Sequence, residues 1–247
     1  MGWHDCSMIN YAKFSQFYDE IMGDRSEEIE QLRDYITRYL PTATSLLELG
    51  CGTGALLAGL AAEMSVTGVD QSPEMLAIAA KNAPTATLVP ADITKFSLET
   101  RFDVVICMFD TLNHVSDFTG WLEVFDRVHE HLVEGGGLFV FDVNTVGRLR
   151  ALARQNPYVQ GFGDHTLIMD ITPAEGDVVL WEVKIFERLE DDLFRLHHEK
   201  IFELGVPLDV IKSVLAVNFD LLDMTDTESG PVTDESDRVY FAYRHRG

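Results

Sequence analysis

Between Ser26 and Leu40 the apolar side chains Ile29, Leu32, Ile36 and Tyr39 or Leu40 recur at helical spacing. That spacing predicts one amphipathic helix, with Ser26 as its N-cap and Pro41 just past its end. The pattern then shortens. "SLLELG" (45–50) reads as a buried strand, "ALLAGLAAEM" (55–64) as a helix and "SVTGVD" (65–70) as a second strand. "SPEMLAIAAKNA" (72–83) reads as a helix capped by Ser72, with Pro73 at its first position and Glu74 in its first turn. "ATLVPAD" (86–92) is a third strand. "FDVVICMF" (102–109) is a fourth, apolar on both faces, as in a parallel sheet covered by helices. A helix over 117–133 and a fifth strand over 137–144 follow. Five strands alternating with helices predict an α/β fold built on a doubly wound, mostly parallel sheet.

After Asn144 the periodicity changes. Residues 145–160 hold no clear strand, whereas 165–204 alternate apolar and polar positions, with turn signals at Glu175-Gly176 and Asp191-Asp192. This predicts an antiparallel meander of about three strands. A helix over 207–217 and strands over 220–227 and 238–245 return to the first pattern. The expected organisation is one domain over 1–247. Residues 1–40 form a helical cover, and 145–205 form an inserted linker and antiparallel subdomain over the carboxyl ends of the parallel strands.

Charge narrows the choice of partners. Forty-one acidic against 19 basic residues leave a net charge of −22, and no Lys/Arg cluster interrupts it. Such a surface repels phosphate backbones, so no nucleic-acid partner is expected. Asp220, Asp223, Asp226, Glu228, Asp234, Glu235 and Asp237 have no basic residue among them. They read either as a solvated acidic face or as a field that draws in a cationic ligand. No apolar run approaches the roughly 18–20 residues that span a bilayer, and the first residues lack a secretory pattern, so a cytoplasmic protein without membrane contact is expected. Cys6, Cys51 and Cys107 are isolated, which argues against disulfides and zinc; Cys51 and Cys107 are expected in the core. His129, His131, His197 and His198 lack metal spacing, and no metal is expected.

Candidate chemistry centres on "LLELGCGTGALLAGL" (46–60), where Gly50, Gly52 and Gly54 alternate. A strand, a glycine turn and a helix let a ligand approach the backbone and the helix N-terminus. Asp70 ends the next strand, where a carboxylate can accept both hydroxyls of an adenosyl ribose. Gly50, Gly52 and Ala55 also satisfy the relaxed dinucleotide pattern, which leaves a nicotinamide oxidoreductase open. Glu48 opposes that reading: an anion there suits an ammonium group better than a pyrophosphate.

In "LLELGCGTG" (46–54), "VTGVDQSPEMLAIAAKNAP" (66–84), "PADITKF" (90–96), "FDVVICMFDTLNHV" (102–115) and "GGGLFVFDVNT" (135–145) the chain resembles the class I S-adenosylmethionine-dependent methyltransferases. The resemblance implies a Rossmann-like seven-stranded sheet of order 3-2-1-4-5-7-6 with strand 7 antiparallel. It implies S-adenosyl-L-methionine as cofactor, with Glu48 and Gly50 near its methionine part. Asp70 would bind the ribose, Asp92 and Ile93 the adenine, Met108 would lie beside the cofactor, and Gly52, Gly54, Gln71 and Met75 would also belong to its binding site. "NYAKFSQFYDEI" (10–21) and "CMFDTLNHV" (107–115) are similar to segments of small-molecule methyltransferases, including those that N-methylate amino sugars. By that similarity Tyr11 and Tyr18 belong to a segment covering the cofactor, and His114 is the catalytic candidate near the reacting groups.

Each assignment has a plainer competitor. Tyr11, Phe14, Phe17 and Tyr18 share a helical face that packing alone explains. Asp92 can cap the turn that follows it, and His114 can be an ordinary loop residue. Asp110 and Asn113 can line the pocket without acting chemically. The expected activity is methyl transfer to the nitrogen or oxygen of a small-molecule acceptor. The alternative is a non-catalytic S-adenosyl-ligand-binding or scaffolding protein of the same fold. A homodimer is compatible with either.

Overall fold

The predicted helix over 26–40 is preceded by a short one. A computed structural model describes residues 13–190, 192–226 and 231–247. Cys6, Tyr11, the first twelve residues of the helical cover, the turn position Asp191 and Glu228 lie outside the described residues. Helix α1 (Ser15–Met22) carries the end of the "NYAKFSQFYDEI" segment, and α2 (Ser26–Tyr39) follows. Ser26 is the first helical residue of α2, not its cap. Arg25 holds the N-cap position without a side-chain capping bond, and Asp24 before it accepts through Oδ1 from the Ser26 N–H at 3.3 Å and its hydroxyl at 2.8 Å.

Strands β1 (Ser45–Leu49), β2 (Ser65–Asp70), β3 (Thr87–Pro90), β4 (Val104–Cys107) and β5 (Leu138–Asn144) pair in parallel. Between them run α3 (Ala55–Leu60), α4 (Pro73–Asn82) and α5 (Phe118–His131). Ser72 caps α4 by accepting from Met75 N–H at 3.2 Å, as its sequence predicts. Every residue of β4 and β5 is buried, because helices cover both faces of the sheet. Cys51 and Cys107 are buried core residues.

After β5 the structure is richer than its pattern. Helix α6 (Val146–Leu152) and strand β6 (Tyr158–Phe162) occupy the segment that shows no clear strand in sequence. The reason is exposure: β6 is an edge strand in which only Phe162 is buried, so no alternation marks it. With β7 (His165–Pro173), β8 (Val178–Arg188) and β9 (Phe194–Leu204) it forms a four-stranded antiparallel sheet instead of three strands. Helix α7 (Leu208–Leu215) then leads to β10 (Phe219–Asp226) and β11 (Arg238–His245), which lies antiparallel between β5 and β10. The large sheet therefore has the order β3-β2-β1-β4-β5-β11-β10, the arrangement 3-2-1-4-5-7-6 among its own strands. No helix among the described residues is long and apolar enough to cross a membrane.

Two polar anchors hold the second sheet and the loop after β4 in place. Buried Asn113 donates through Nδ2 to Asn144 O and to Leu204 O, both at 2.9 Å. Its Oδ1 accepts from Asn144 N–H at 3.0 Å, and its carbonyl accepts from Leu204 N–H at 2.7 Å. One amide thus joins the β4 loop, the end of β5 and the end of β9. The second anchor is Asp142 on β5. It accepts from Phe109 N–H at 2.6 Å and from Asp110 N–H at 3.0 Å. Those two residues have φ of 58° and 50°, a left-handed conformation that costs non-glycine residues of order 1–3 kcal/mol each. Arg238, the first residue of β11, faces Asp142 at 2.6 Å and pairs with Asp110 as well.

Arg238→Leu should therefore do more than remove a surface charge. It leaves Asp142, which is fully buried, without its counter-charge. We expect a loss of roughly 3 kcal/mol, the lower end of the cost of uncompensating a buried ion pair. Urea unfolding of the variant and the parent protein measures it.

Candidate functional site

A cavity of about 980 Å³ opens at the carboxyl ends of β1, β2 and β4. Its floor is the turn between β1 and α3. Its walls come from α1, from residues 92–95, from the loop after β4 and from β9 through Lys200 and Phe202. This is where an open α/β sheet places a ligand.

The three alternating glycines have separate reasons. Gly50, Gly52 and Gly54 have φ of 69°, 50° and 76°, so the turn needs residues that tolerate left-handed backbone. A Cβ on Gly50 would lie 2.4 Å from Thr111 Cγ2, and one on Gly54 would lie 3.0 Å from Ala79 Cβ. Their bareness is demanded by the protein's own packing. A Cβ on Gly52 would meet nothing within 4 Å, so at Gly52 the bare backbone faces open cavity.

Asp70 ties this turn to the next one. Its Oδ2 accepts from Gly52 N–H at 2.9 Å and its Oδ1 from Ser72 N–H at 2.8 Å. Each oxygen keeps a second lone pair for a ligand hydroxyl. Burial raises its pKa, and the backbone donors from Ser72, Gly52 and Gln71 pull it back. Gln71, Met75 and Ile93 line the cavity as well. Asp92 both caps and lines. It accepts from Thr94 N–H at 2.9 Å, so the two sequence readings of this residue coexist. Met108 does not line the cavity. It is buried in the core beneath it, because β4 ends at Cys107 and the chain turns left-handed at Phe109.

Glu48 stands on β1 and is almost wholly buried, yet its Oε2 has no hydrogen-bond partner among the described residues. Burial, and then the charge of Asp70, push its carboxyl well above the usual range. An unpaired buried carboxyl oxygen in a cavity wall is an acceptor that an ammonium group fits. Tyr18 on α1 also lines the cavity, and its hydroxyl is pushed up by burial. Phe14 and Phe17 point the other way, into a core with Phe162, Leu167 and Ile201 of the second sheet. Helix α1 thus packs through one face and walls the cavity through another.

His114 faces the cavity from the loop after β4. Its Nε2 is 3.7 Å from Asp110 Oδ2 and its Nδ1 is 4.0 Å from Glu203 Oε1. Burial lowers its pKa, Asp110 opposes that shift and Arg238 adds to it. Glu203 on β9 is a member of this group that sequence reasoning missed, since 89 positions separate it from His114. It is buried, accepts from Asn144 Nδ2 at 3.1 Å and shares a hydrogen bond with Asp110. One signal was present: in "KIFEL" the glutamate falls between two apolar positions of a strand. Asp110 and Asn113 do not line the cavity; they hold its wall. His131 accepts from Leu98 N–H at 2.8 Å and is structural.

Burial and the neighbouring Asp110 raise the Glu203 carboxyl well above the ordinary glutamate value. The folded protein therefore keeps a proton there that the unfolded chain gives up. This costs stability as pH rises above the unfolded value, until the folded pKa is passed. Glu203→Gln removes the cost, so its melting temperature relative to the parent should climb from about pH 5 to about pH 8. Thermal unfolding across that range tests this, and a constant difference would mean that Glu203 is ionised in the fold.

The comparisons with known proteins agree with this geometry. A family model described as a methyltransferase domain matches residues 46–136. A protein of Geobacillus sp. (strain WCH70), provisionally named a methyltransferase, is 28% identical over 94% of this chain and 98% of its own length. The dTDP-3-amino-3,6-dideoxy-alpha-D-glucopyranose N,N-dimethyltransferase of Streptomyces fradiae is 36% identical over 47% of this chain and 46% of that protein. This chain thus spans about half of that relative. The crystal structure of an S-adenosylmethionine-dependent methyltransferase from Clostridium acetobutylicum ATCC 824 superposes with a TM-score of 0.85 at 23% identity, over 96% of this chain and 99% of that one. With the strand order and the glycine turn at one edge of the sheet, these likenesses identify a methyltransferase domain over residues 46–136, in a chain with the fold of the class I S-adenosylmethionine-dependent methyltransferases.

Proposed function

We propose that this methyltransferase acts on the nitrogen of a small-molecule amine. The observation that carries the reading is the composition of the cavity wall. Asp19, Asp24, Asp117 and Glu123 face it, while its lysines are already engaged. Lys95 lies 3.4 Å from Asp92, and Lys200 lies 3.3 Å from Glu182. Such a wall attracts a cationic acceptor and repels an anionic one. Enclosure by α1 and β9 limits the acceptor to a small molecule. The name of the Streptomyces fradiae relative, an N,N-dimethyltransferase of an amino sugar, supports the same class of acceptor. The non-catalytic alternative has no comparable support.

When bound, S-adenosylmethionine supplies a methyl group already activated by its sulfonium. What remains for the chain is proximity, alignment and proton handling. In this reading Asp70 holds the ribose, Asp92 and Ile93 flank the base, and Gln71 and Met75 fill the wall between them. Tyr18 covers the opposite side. Met108 supports the wall from below, and Tyr11 belongs to the cover by sequence similarity alone. Residues 145–205 form the acceptor side of the same domain.

An amine must shed its proton before its lone pair can attack. Burial keeps His114 neutral at pH values where a solvated histidine is partly charged, so it can take a proton at a ring nitrogen. The Asp110 carboxylate beside Nε2 then stabilises the imidazolium.

His114→Ala should lower turnover by roughly 10²-fold or more while leaving the affinity for S-adenosylhomocysteine unchanged. The acid limb of the parent's pH–rate profile should lie below about 6.5, in keeping with the lowered pKa, and should vanish in the variant. Methyl transfer from labelled S-adenosylmethionine to a panel of amino sugars, other amines and hydroxyl compounds identifies the accepting atom. Labelling of hydroxyl compounds alone would replace nitrogen by oxygen.

A further inference from the structure

Behind His114 three carboxyl groups share one cation. Asp110 and Glu203 lie beside the imidazole, Asp142 holds the same loop from below, and Arg238 is the guanidinium among them. Arg238 commits both its terminal nitrogens. Nη1 lies 2.6 Å from Asp142 Oδ2, and Nη2 pairs with Asp110 Oδ1, so Glu203 shares in neither contact. Glu203 is held otherwise. Its Oε2 accepts from Asn144 Nδ2 at 3.1 Å, and that amide is fixed in its sense because its Oδ1 faces Arg238 Nη2 at 3.4 Å. Glu203 also shares a hydrogen bond with Asp110. Ionised carboxylates only accept, so two carboxyl groups share a hydrogen bond only when one of them keeps a proton. Asp110 is the member paired with the guanidinium, which leaves the proton on Glu203. Enclosure acts in the same sense. Burial first, and Asp110 second, hold the Glu203 carboxyl well above the usual glutamate range.

We propose that Glu203 is a positioning residue for His114: as a neutral acid it donates a hydrogen bond to Asp110, so that one carboxylate and not two acts on the imidazole. The proposal rests on the reading of His114 as proton acceptor and deepens it. Asp110 Oδ2 lies 3.7 Å from Nε2 and Glu203 Oε1 lies 4.0 Å from Nδ1, so each ring nitrogen has a carboxyl group near it. Were both ionised, they would hold a proton on His114, and an imidazolium cannot take one from an amine. With Glu203 neutral the ring is left to accept, and Asp110 alone stabilises the charge that arrives. The proton of Glu203 stays in place, and the proton shed by the amine goes to His114. The remaining charged and titratable groups fit this balance. Arg238 from β11 opposes a charge on His114, while Asp142 from β5 and Tyr18 from α1 face Asp110. The three side chains also offer ligand atoms within 4.8 Å of one another, the spacing of a metal site. A cation there would have to displace the proton of Glu203 and loosen the pair of Asp110 with Arg238.

Two spectroscopic readings on the full chain test this without an acceptor. The infrared difference spectrum between the parent and Glu203→Gln at neutral pH should show the loss of a protonated carboxyl C=O stretch. Loss of an ionised carboxylate band instead overturns the proposal. The His114 ring-proton resonance, identified by its absence from His114→Ala, should titrate in Glu203→Gln where it does in the parent. The glutamine amide is neutral, can donate to Asp110 and can accept from Asn144. A midpoint lower by about one unit or more in that variant would reveal a lost anion beside the ring and overturns the proposal as well. Glu203→Leu keeps the neutrality and loses the donor. Asp110 then has more of its charge left for the imidazolium, so the His114 midpoint should rise by about half a unit or more. The acid limb of the methyl-transfer profile should move up with it, whereas Glu203→Gln should restore its place. A folded Glu203→Leu protein with the parent's midpoint overturns the positioning role; if that variant does not fold, the infrared spectrum and the glutamine titration decide. Parent-like turnover in His114→Ala would instead overturn the reading of His114 as proton acceptor, with both spectra as described.

Discussion

The Asp142 carboxylate is the constraint on which the cavity depends. It is fully buried, its pKa is raised by that burial and pulled back by Arg238, and it holds the N–H groups of two residues in left-handed backbone. Without those two hydrogen bonds, nothing would keep Phe109 and Asp110 where a non-glycine chain avoids going. The whole of this cavity wall hangs from that turn. Phe109 supports the Arg25 guanidinium, Asp110 faces His114, and the next few residues carry Asn113. Arg238 arrives from the last strand of the chain, so the C-terminal strand helps to set a loop that lies more than a hundred residues earlier.

The five parallel strands, the glycine turn, Glu48 and Asp70 were legible because each depends on local sequence, whereas the order of the strands was legible only through the family resemblance. An apolar run buried on both faces, a capped helix or a glycine that needs positive φ leaves its mark within a few residues. The four-stranded insertion was legible as a change of period, but its edge strand was not. Phe162 is the one buried residue of β6, so there was no alternation to read. The reason for the glycines was only partly legible. A ligand explains the open space at Gly52, but Thr111 and Ala79 explain Gly50 and Gly54, and neither neighbour is local.

Groups that act across the fold were the least legible. Glu203 reaches Asp110 and His114 only because Asn113 clamps the end of β9 to the β4 loop. Arg25 gave no sequence signal at all, since one arginine at the start of a helix is ordinary. Its place in the cavity wall, with Nη2 lacking a hydrogen-bond partner among the described residues, shows only in the fold. Met108 shows the converse: a position expected at the cofactor turned inward because the strand stopped two residues earlier than its apolar run.

The contact between Gly50 and Thr111 ties the two halves of the cavity to a common history. With 2.4 Å between the absent Cβ and the threonine methyl, no side chain can appear at 50 unless 111 retreats, and nothing bulkier can appear at 111. Position 50 lies in the floor of the cavity and 111 in its wall, so the two cannot drift independently. Related chains should vary at these positions as a pair or not at all. An effort to diversify the β4 loop has to leave 111 fixed, or it will disturb the glycine turn from outside that turn.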